Sequence, residues 1–343
     1  MKGLLARLNI DPFLLMLVST VALASVLPAR GIWAGIAGGV ANAGIALLFF
    51  LHGAKLSREA ILDGARAWKL HLTVAAVSFV LFPIIGLGVR AIPGLEPSLA
   101  TGVLFLTLLP STVQSSIAFT AIAGGNVAAA VCSASFSNLA GIFITPVLTA
   151  VFITGRSHGF STDPMIDIAV QLLLPFLAGH FLRPWIGGFV TRNKQILGYV
   201  DRSSILLVVY TAFGAAVIEG LWHKVTLGEL ALIAALSLGV LAIVMVAAVA
   251  IGKAMGFSRE DRIVLLFCGS KKSLATGVPL AGVLFPAAQV GAIILPLMFF
   301  HQIQLMVCAV LARRYAAQND RTAMTASATT ASATTASATT GAN

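Results

Sequence analysis

Two adjacent lysines, Lys271 and Lys272, lie within an apolar run, residues 263–310, that contains no carboxylate. An unpaired ammonium costs several kcal/mol in the core of a bilayer, so charges there usually face a cavity or a partner and mark function. Around the lysines, residues 268–279 carry two glycines, one proline and three hydroxyl side chains, which disfavours a continuous lipid-facing helix. A polar, interrupted stretch at membrane depth is typical of a transport site.

A second polar stretch begins at Pro110, which is followed by five polar residues in the next six. Proline removes a backbone donor and clashes with the preceding turn, so we expect carbonyls near residues 106–110 to lose their helical partners. Such carbonyls can bind cations where the broken backbone lines an enclosed cavity. The alternative is an ordinary proline kink whose hydroxyls satisfy the helix. The candidate binding residues here are Gln114, Ser115 and Ser116.

A third polar group lies at residues 133–138. Ser133 and Ser137 are four apart and therefore share one face of a helix. Small hydroxyl residues often serve close helix packing, and this alternative stays open for the serines. Asn138 is costlier to bury without a partner, so we expect its amide to bond to a broken helix or a ligand.

The composition indicates an integral membrane protein. Hydrophobic residues make up 58% of the chain and charged residues only 10%, against about 25% in a soluble domain. The 343 residues allow roughly ten helices of about 20 apolar residues with short connections. Basic residues are scattered singly between the apolar runs, which is typical of loop charges that orient a membrane protein, so we do not expect nucleic acid as a partner. The cysteines and histidines show no metal-ligand spacing and no disulfide framework.

Apolar windows predict ten spans, separated mostly by proline, glycine or charge clusters. Beyond them, residues 315–343 repeat Thr, Ala and Ser, and we expect a disordered cytoplasmic tail because apolar surface is scarce there. The predicted spans are about 12–29, 32–53, 68–91, 97–123, 126–154, 164–184, 199–220, 227–252, 261–285 and 288–312.

Lysine and arginine set the predicted orientation. With the N-terminus inside, sixteen of the 22 basic residues lie in inner segments and four in outer ones; the other two are Lys271 and Lys272. This bias predicts a multi-pass membrane protein with both termini cytoplasmic.

Ten spans divide into two sets of five, residues 1–156 and 163–314, and an odd number means that a related second half is inverted. Inverted repeats are common in secondary transporters, whose sites lie on interrupted helices in corresponding positions. The Pro110 stretch and the lysine stretch both fall in the fourth span of their half, so interruptions are predicted in spans four and nine.

At these residues the chain resembles the bile acid:sodium symporter family, solute carrier family 10. Residues 110–146 and 267–286 carry the resemblance most strongly, and residues 137–146 and 267–273 are similar to a divergent bacterial branch related to the seventh human member. The resemblance implies ten transmembrane helices in two inverted five-helix repeats, and the bacterial branch implies the bacterial inner membrane. Helices one, two, six and seven would form a panel, and the other six a core in which helices four and nine unwind and cross. In sodium-coupled members, sodium binds beside that crossing and organic anions bind between core and panel.

The family's ion-binding motifs are only partly present. Ser115 falls on the serine of a Ser-Asn pair in helix four, whereas Ser116 replaces the asparagine. In helix nine the family has a Glu-x-Gly-x-Gln-Asn pattern. With Gly269 on its glycine, Phe267 takes the glutamate position and the two lysines take the last two positions. Asn138 and residues 133–137 occupy the part of helix five that supplies further oxygen ligands.

The lysines weaken the expectation of sodium coupling, because sodium prefers hard oxygen ligands and an ammonium repels it. Three roles are open for these lysines. A tethered lysine could stand where sodium would sit and donate to broken-helix carbonyls, Ser115 or Asn138. A lysine could exchange a proton, or it could pair with an anionic substrate. Neighbours on a helix point about 100° apart, so we expect two different roles. Ser273 completes the candidate set.

The sequence predicts a secondary transporter for a small organic anion, in contact with membrane lipid and without a cofactor other than sodium or a proton as coupling ion. An intramembrane enzyme would need paired carboxylates, a histidine cluster or a metal motif inside the spans, and the sequence shows none. The alternative is a regulatory membrane protein that keeps the transporter fold without sodium-coupled uptake.

Overall fold

The computed structural model describes residues 12–55, 67–153, 162–220, 222 and 226–340, and the backbone of these residues forms helices without any strand. We number the helices in chain order. They are α1 Pro12–Val26, α2 Ile32–Lys55, α3 Trp68–Arg90, α4 Pro97–Leu108, α5 Gln114–Ile122, α6 Val127–Phe152, α7 Thr162–Arg192, α8 Lys194–Ile218, α9 Leu227–Ala254, α10 Arg259–Gly269, α11 Leu274–Leu284 and α12 Ala287–Thr340.

Seven helical stretches in the described residues are long and apolar enough to cross a membrane. Two shorter apolar helices, Leu15–Val26 and Pro97–Leu108, add to them. Helix occupies each of the ten ranges predicted to span the bilayer, while the number of crossings stays a prediction. The molecule is thus an all-helical, multi-pass membrane protein.

Both predicted helix interruptions are present. α4 ends at Leu108 and α5 begins at Gln114, and α10 ends at Gly269 before α11 begins at Leu274. Ser273 caps α11, because its hydroxyl accepts a hydrogen bond from the backbone N–H of Thr276 at 3.2 Å. Every residue of 263–281 except Ala275 is buried inside the protein, so this interrupted stretch lies at the centre of the fold.

Small residues bring α2 and α7 close together. A Cβ on Gly53 would collide with the backbone oxygen of Phe176, and one on Gly179 would collide with the backbone oxygen of Phe50. Such glycine contacts let membrane helices approach at backbone distance. α8 packs on both α1 and α2, so α1, α2, α7 and α8 form one group. α8 also packs against α12.

A π turn at Val77–Leu81 interrupts the hydrogen-bonding pattern of α3. Turns of this kind are rare and frequently lie at functional sites. Ser78, inside this turn, is fully buried. Its backbone oxygen accepts a hydrogen bond from the side chain of Lys272.

The last helix differs from the prediction for the C-terminal segment. α12 continues to Thr340, so the backbone of residues 315–340 is helical where the sequence predicts disorder. The segment is rich in alanine, which has the highest helix propensity of all residues, and it extends an existing helix without a new nucleation step. The low apolar content that predicts disorder concerns side-chain packing, whereas the helical backbone here follows from alanine propensity.

Candidate functional site

The two interrupted helices contact one another through their unwound backbones. The backbone N–H of Ser273 donates to the carbonyl of Pro110 at 2.9 Å. The Thr112 hydroxyl donates to the carbonyl of Lys272 at 2.7 Å. These bonds satisfy backbone groups that lose their helical partners where each helix breaks. At membrane depth such groups must be hydrogen-bonded within the protein. We call residues 109–113 and 270–273 together the crossing.

Hydroxyls in α5 and just before it donate hydrogen bonds to backbone carbonyls at the end of α10. Ser111 donates from its side chain to the carbonyl of Cys268 at 2.5 Å, and Ser116 donates to the carbonyl of Phe267 at 3.0 Å. Both serines are fully buried. The polar residues after Pro110 thus supply donors to carbonyls that lose their helical partners where α10 ends.

Lys272 is fully buried and its ammonium has three backbone partners. Nζ lies 2.8 Å from the carbonyl oxygens of Ser78 and Thr107 and 2.7 Å from that of Leu109. The ring centroid of Phe82 lies 4.0 Å from Nζ and adds a cation–π contact. An ammonium has three donors, and all three are used here. We call this arrangement the carbonyl cage.

Lys271 is also fully buried but has a different environment. Its Nζ donates to the hydroxyl of Ser115 at 3.0 Å and lies 4.1 Å from the ring centroid of Phe119. Both partners belong to α5. The two neighbouring lysines therefore point to different partners. Both lie in the break between α10 and α11, so the helical angle used in the prediction does not apply to them.

Gln304 of α12 holds the backbone of Lys272 from the other side. Its Oε1 accepts from the Lys272 N–H at 2.9 Å, and its Nε2 donates to the Lys272 carbonyl at 2.9 Å. The same Nε2 lies 3.0 Å from Nδ1 of His301. The side chain and the backbone of Lys272 are thus both fixed by hydrogen bonds.

α6 supports the crossing from a further side. The Ser137 hydroxyl accepts from the backbone N–H of Ser111 at 3.0 Å, and the Thr145 hydroxyl donates to the carbonyl of Leu108 at 2.8 Å. Asn138 accepts through Oδ1 from the Thr276 hydroxyl at 2.9 Å. The predicted bond from Asn138 to a broken helix is therefore present.

A cavity of about 410 Å³ lies between the crossing and the group formed by α1, α2, α7 and α8. Neither Lys271 nor Lys272 lines it. Its apolar wall comes from residues such as Phe13, Leu48 and Phe176. Its polar lining consists of His52, Thr112, Gln114, Ser115, Ser135, Asn138, Asp201, Arg202, Ser273, Thr276 and His301.

Comparison with known proteins identifies the family. The sequence profile of the SBF-like CPA transporter family matches residues 11–317. The chain belongs to the SBF-like CPA transporter family. It is similar to the uncharacterized protein PA2026 of Pseudomonas aeruginosa, with 54% identity over 316 residues that cover 91% of this chain and 95% of the relative. The protein named "Putative symporter YfeH" of Escherichia coli is 53% identical over 314 residues, covering 91% and 95%. Sodium/bile acid cotransporter 7 of Danio rerio is 27% identical over 320 residues, covering 90% and 94%.

These similarities confirm the predicted resemblance to the bile acid:sodium symporters and to the seventh member of solute carrier family 10. The protein is a membrane transporter and not an enzyme. The described residues contain no group of three or more His, Cys, Asp or Glu side chains that could hold a metal ion.

The predicted site residues of this SBF-like transporter divide into two sets. Four line the cavity, namely Gln114, Ser115, Asn138 and Ser273. Lys271 and Lys272 lie behind them in the crossing, and Ser116 lies beside it in α5. Ser137 belongs to the same set, because its hydroxyl accepts from the backbone N–H of Ser111. Ser133 lies apart from both, because its hydroxyl is 2.6 Å from Nδ1 of His71.

Sequence reasoning missed several groups that build the site. Ser78 contributes only a backbone oxygen, and a contact of that kind cannot be predicted from the side-chain pattern. Gln304 and His301 did carry a signal, because two polar residues three apart share one face of an otherwise apolar helix. Arg202 lies near the start of a predicted span, where a basic residue is typical of an orienting charge, yet it lines the cavity from the first half of α8.

Proposed function

We propose that this transporter moves a small organic anion by alternating access. The observation that carries the proposal is the cavity between the crossing and the group of α1, α2, α7 and α8. A binding site at interrupted helices, flanked by a second group of closely packed helices, is the arrangement in which one body can rock against another around a fixed site. Its volume of about 410 Å³ suits a small molecule.

An anion is favoured by three positive features of the cavity. Gln114 begins α5 and Leu274 begins α11, and both residues line the cavity, so two half-helix N-termini are directed towards it. The positive ends of helix dipoles stabilise negative charge. Arg202 adds a full positive charge to the lining. The apolar wall then suits the hydrocarbon part of an organic anion.

The helix order supports two inverted five-helix repeats, residues 1–156 and 163–314. The interruptions fall in the fourth helical segment of each part, as such a repeat requires. The close packing of α2 with α7 and of α8 with α1 and α2 supports a panel of these four helices. The remaining helices would form the core, with the bacterial inner membrane around them and both termini in the cytoplasm.

The carbonyl cage argues against sodium at this position. Sodium would need the carbonyl oxygens of the broken helices as ligands, and three carbonyls already accept hydrogen bonds from Lys272. A sodium ion does not fit beside an ammonium that is held there by its own backbone. We therefore propose that Lys272 is a tethered cation and that a proton, instead of sodium, is the coupling ion.

Uptake into proteoliposomes tests these proposals. The purified protein would be reconstituted and given sodium and proton gradients separately, with labelled bile acids and smaller carboxylates as probes. We expect uptake of an organic anion with the proton gradient and none that requires sodium. Sodium-dependent uptake would contradict the tethered-cation proposal. The absence of flux for every probe under both gradients would contradict transport of organic anions and favour a regulatory role.

A further inference from the structure

The contacts of Gln304 fix the orientation of its amide. A backbone N–H can only donate and a backbone carbonyl can only accept, so the atom that faces the Lys272 N–H is Oε1 and the atom that faces the Lys272 carbonyl is Nε2. Exchanging these two atoms would lose both bonds. The group that Gln304 presents to His301 is therefore an N–H donor.

This donor determines the state of His301. Nδ1 lies 3.0 Å from the Gln304 Nε2 and must accept, so it carries no proton, and the neutral ring holds its proton on Nε2. His301 also lines the cavity. One side chain thus connects the cavity to the backbone of Lys272 through a single amide.

We propose that His301 binds the coupling proton, at Nδ1, and that this proton releases Gln304 from the ring. The proposal rests on the function proposed above and names the residue at which the proton acts. A proton from the aqueous phase adds to the Nδ1 lone pair while Nε2 keeps its own. Two N–H donors then face each other at 3.0 Å, and no hydrogen bond can form between them.

The release affects the crossing because Gln304 cannot adapt without cost. A flip of its amide would restore a bond to the protonated ring but would break both bonds to Lys272. The ring must turn away or the hold on Lys272 must weaken. Either change alters the link between the cavity and the carbonyl cage, which is what a coupling site in a rocking-type transporter has to do.

Few other charges surround His301. Asp201 and Arg202 of α8 and His52 of α2 share the cavity lining. α4, α5 and α11, which all pack against α12, contain no charged residue. In α9 the charged residues are Glu229 and Lys253, one near each end of the helix. Lys271 and Lys272 lie behind the cavity, with their ammoniums bonded to α5 and to the carbonyl cage.

Two measurements on the substrate-free protein in nanodiscs test the proposal. The first is nitrogen NMR of protein labelled at histidine, with the His301 signal assigned by its loss in His301→Gln. We expect an unprotonated Nδ1 at high pH and a protonated Nδ1 on acidification. A ring that carries its proton on Nδ1 at high pH would overturn the proposal, and the protonation state that is measured is that of the wild-type protein.

The second measurement is hydrogen exchange of the Lys272 amide, which donates to Gln304. After correction for the intrinsic pH dependence of exchange, protection should fall about tenfold in the wild type as His301 protonates, since roughly one hydrogen bond is lost. The fall should be absent in His301→Gln and retained in the control His52→Gln, a change at the other histidine of the cavity. An equal fall in His301→Gln would overturn the proposal. Because neither measurement involves substrate, failure here is separate from failure of the uptake assay.

Discussion

The ammonium of Lys272 lies 2.7 Å from the carbonyl oxygen of Leu109, the first residue after α4 ends. A side chain of one interrupted helix is thus bound by the broken backbone of the other. Thr107 of α4 contributes a second carbonyl, and Ser78 of α3 contributes the third. The cation that holds the crossing together is therefore part of the chain and cannot dissociate.

The first prediction concerns the loss of this ammonium. Lys272→Met keeps most of the side-chain length but removes all three donors, leaving buried carbonyls without partners. We expect the protein to lose about 2–4 kcal/mol of stability, since each unsatisfied buried group costs roughly 1–3 kcal/mol and partial relaxation recovers some of it. Thermal unfolding in detergent measures the loss. Lys271→Met is the matched control and should cost less, because Lys271 has one hydrogen bond and one ring contact.

The second prediction is that the carbonyl cage binds a free cation once the lysine side chain is removed. Lys272→Ala removes the tether and leaves space for a small ion between three carbonyl oxygens. We expect ammonium chloride to raise the melting temperature of Lys272→Ala, because the ammonium ion offers the same donors as the lysine side chain. Tetramethylammonium chloride at the same ionic strength has no such donors and should not. The same response to both salts would contradict a specific cage.

The sequence predicts the two interruptions because proline, glycine and unpaired charges are unfavourable in a lipid-facing helix. Pro110 and the two lysines therefore locate both breaks. The partners of each ammonium could not be predicted, because they depend on how the breaks cross. The Ser78 carbonyl is the clearest example, since any residue could supply it and only the π turn of α3 places it there.

Only some of the residues that line the cavity can be predicted from the sequence. Asn138 and Ser115 stand out because an amide or hydroxyl in an apolar helix is costly. Arg202 does not, because a basic residue near a predicted helix end is normal for an orienting charge. Only the packing of α8 against α1 and α2 shows that this residue lines the cavity.

A third prediction tests the contact between α6 and the crossing. A Cβ on Gly141 would lie 2.5 Å from Cβ of Pro110, whose ring cannot rotate away. We expect Gly141→Ala to destabilise the protein by about 1–3 kcal/mol, because an added methyl group in a tight contact forces the backbone to shift. In α9, Gly239→Ala is the control, since its Cβ would meet nothing within 4 Å. That change should be neutral or stabilising by up to about 1 kcal/mol.

The fourth prediction concerns recognition of the anion by Arg202. The guanidinium lines the cavity and lies 5.9 Å from the ring centroid of Phe13, which keeps the charge beside the apolar wall. Arg202→Gln removes the charge but keeps hydrogen-bonding capacity. We expect KM for the transported anion to rise about tenfold, since a charge-assisted hydrogen bond contributes roughly 1.5–3 kcal/mol. Initial uptake rates in proteoliposomes measure the change, and the melting temperature should stay the same because Arg202 is exposed.

Arg192→Gln removes an exposed arginine from α7, outside this cavity, and should leave KM unchanged. A KM that is unaltered in Arg202→Gln would show that the half-helix N-termini bind the anion without it.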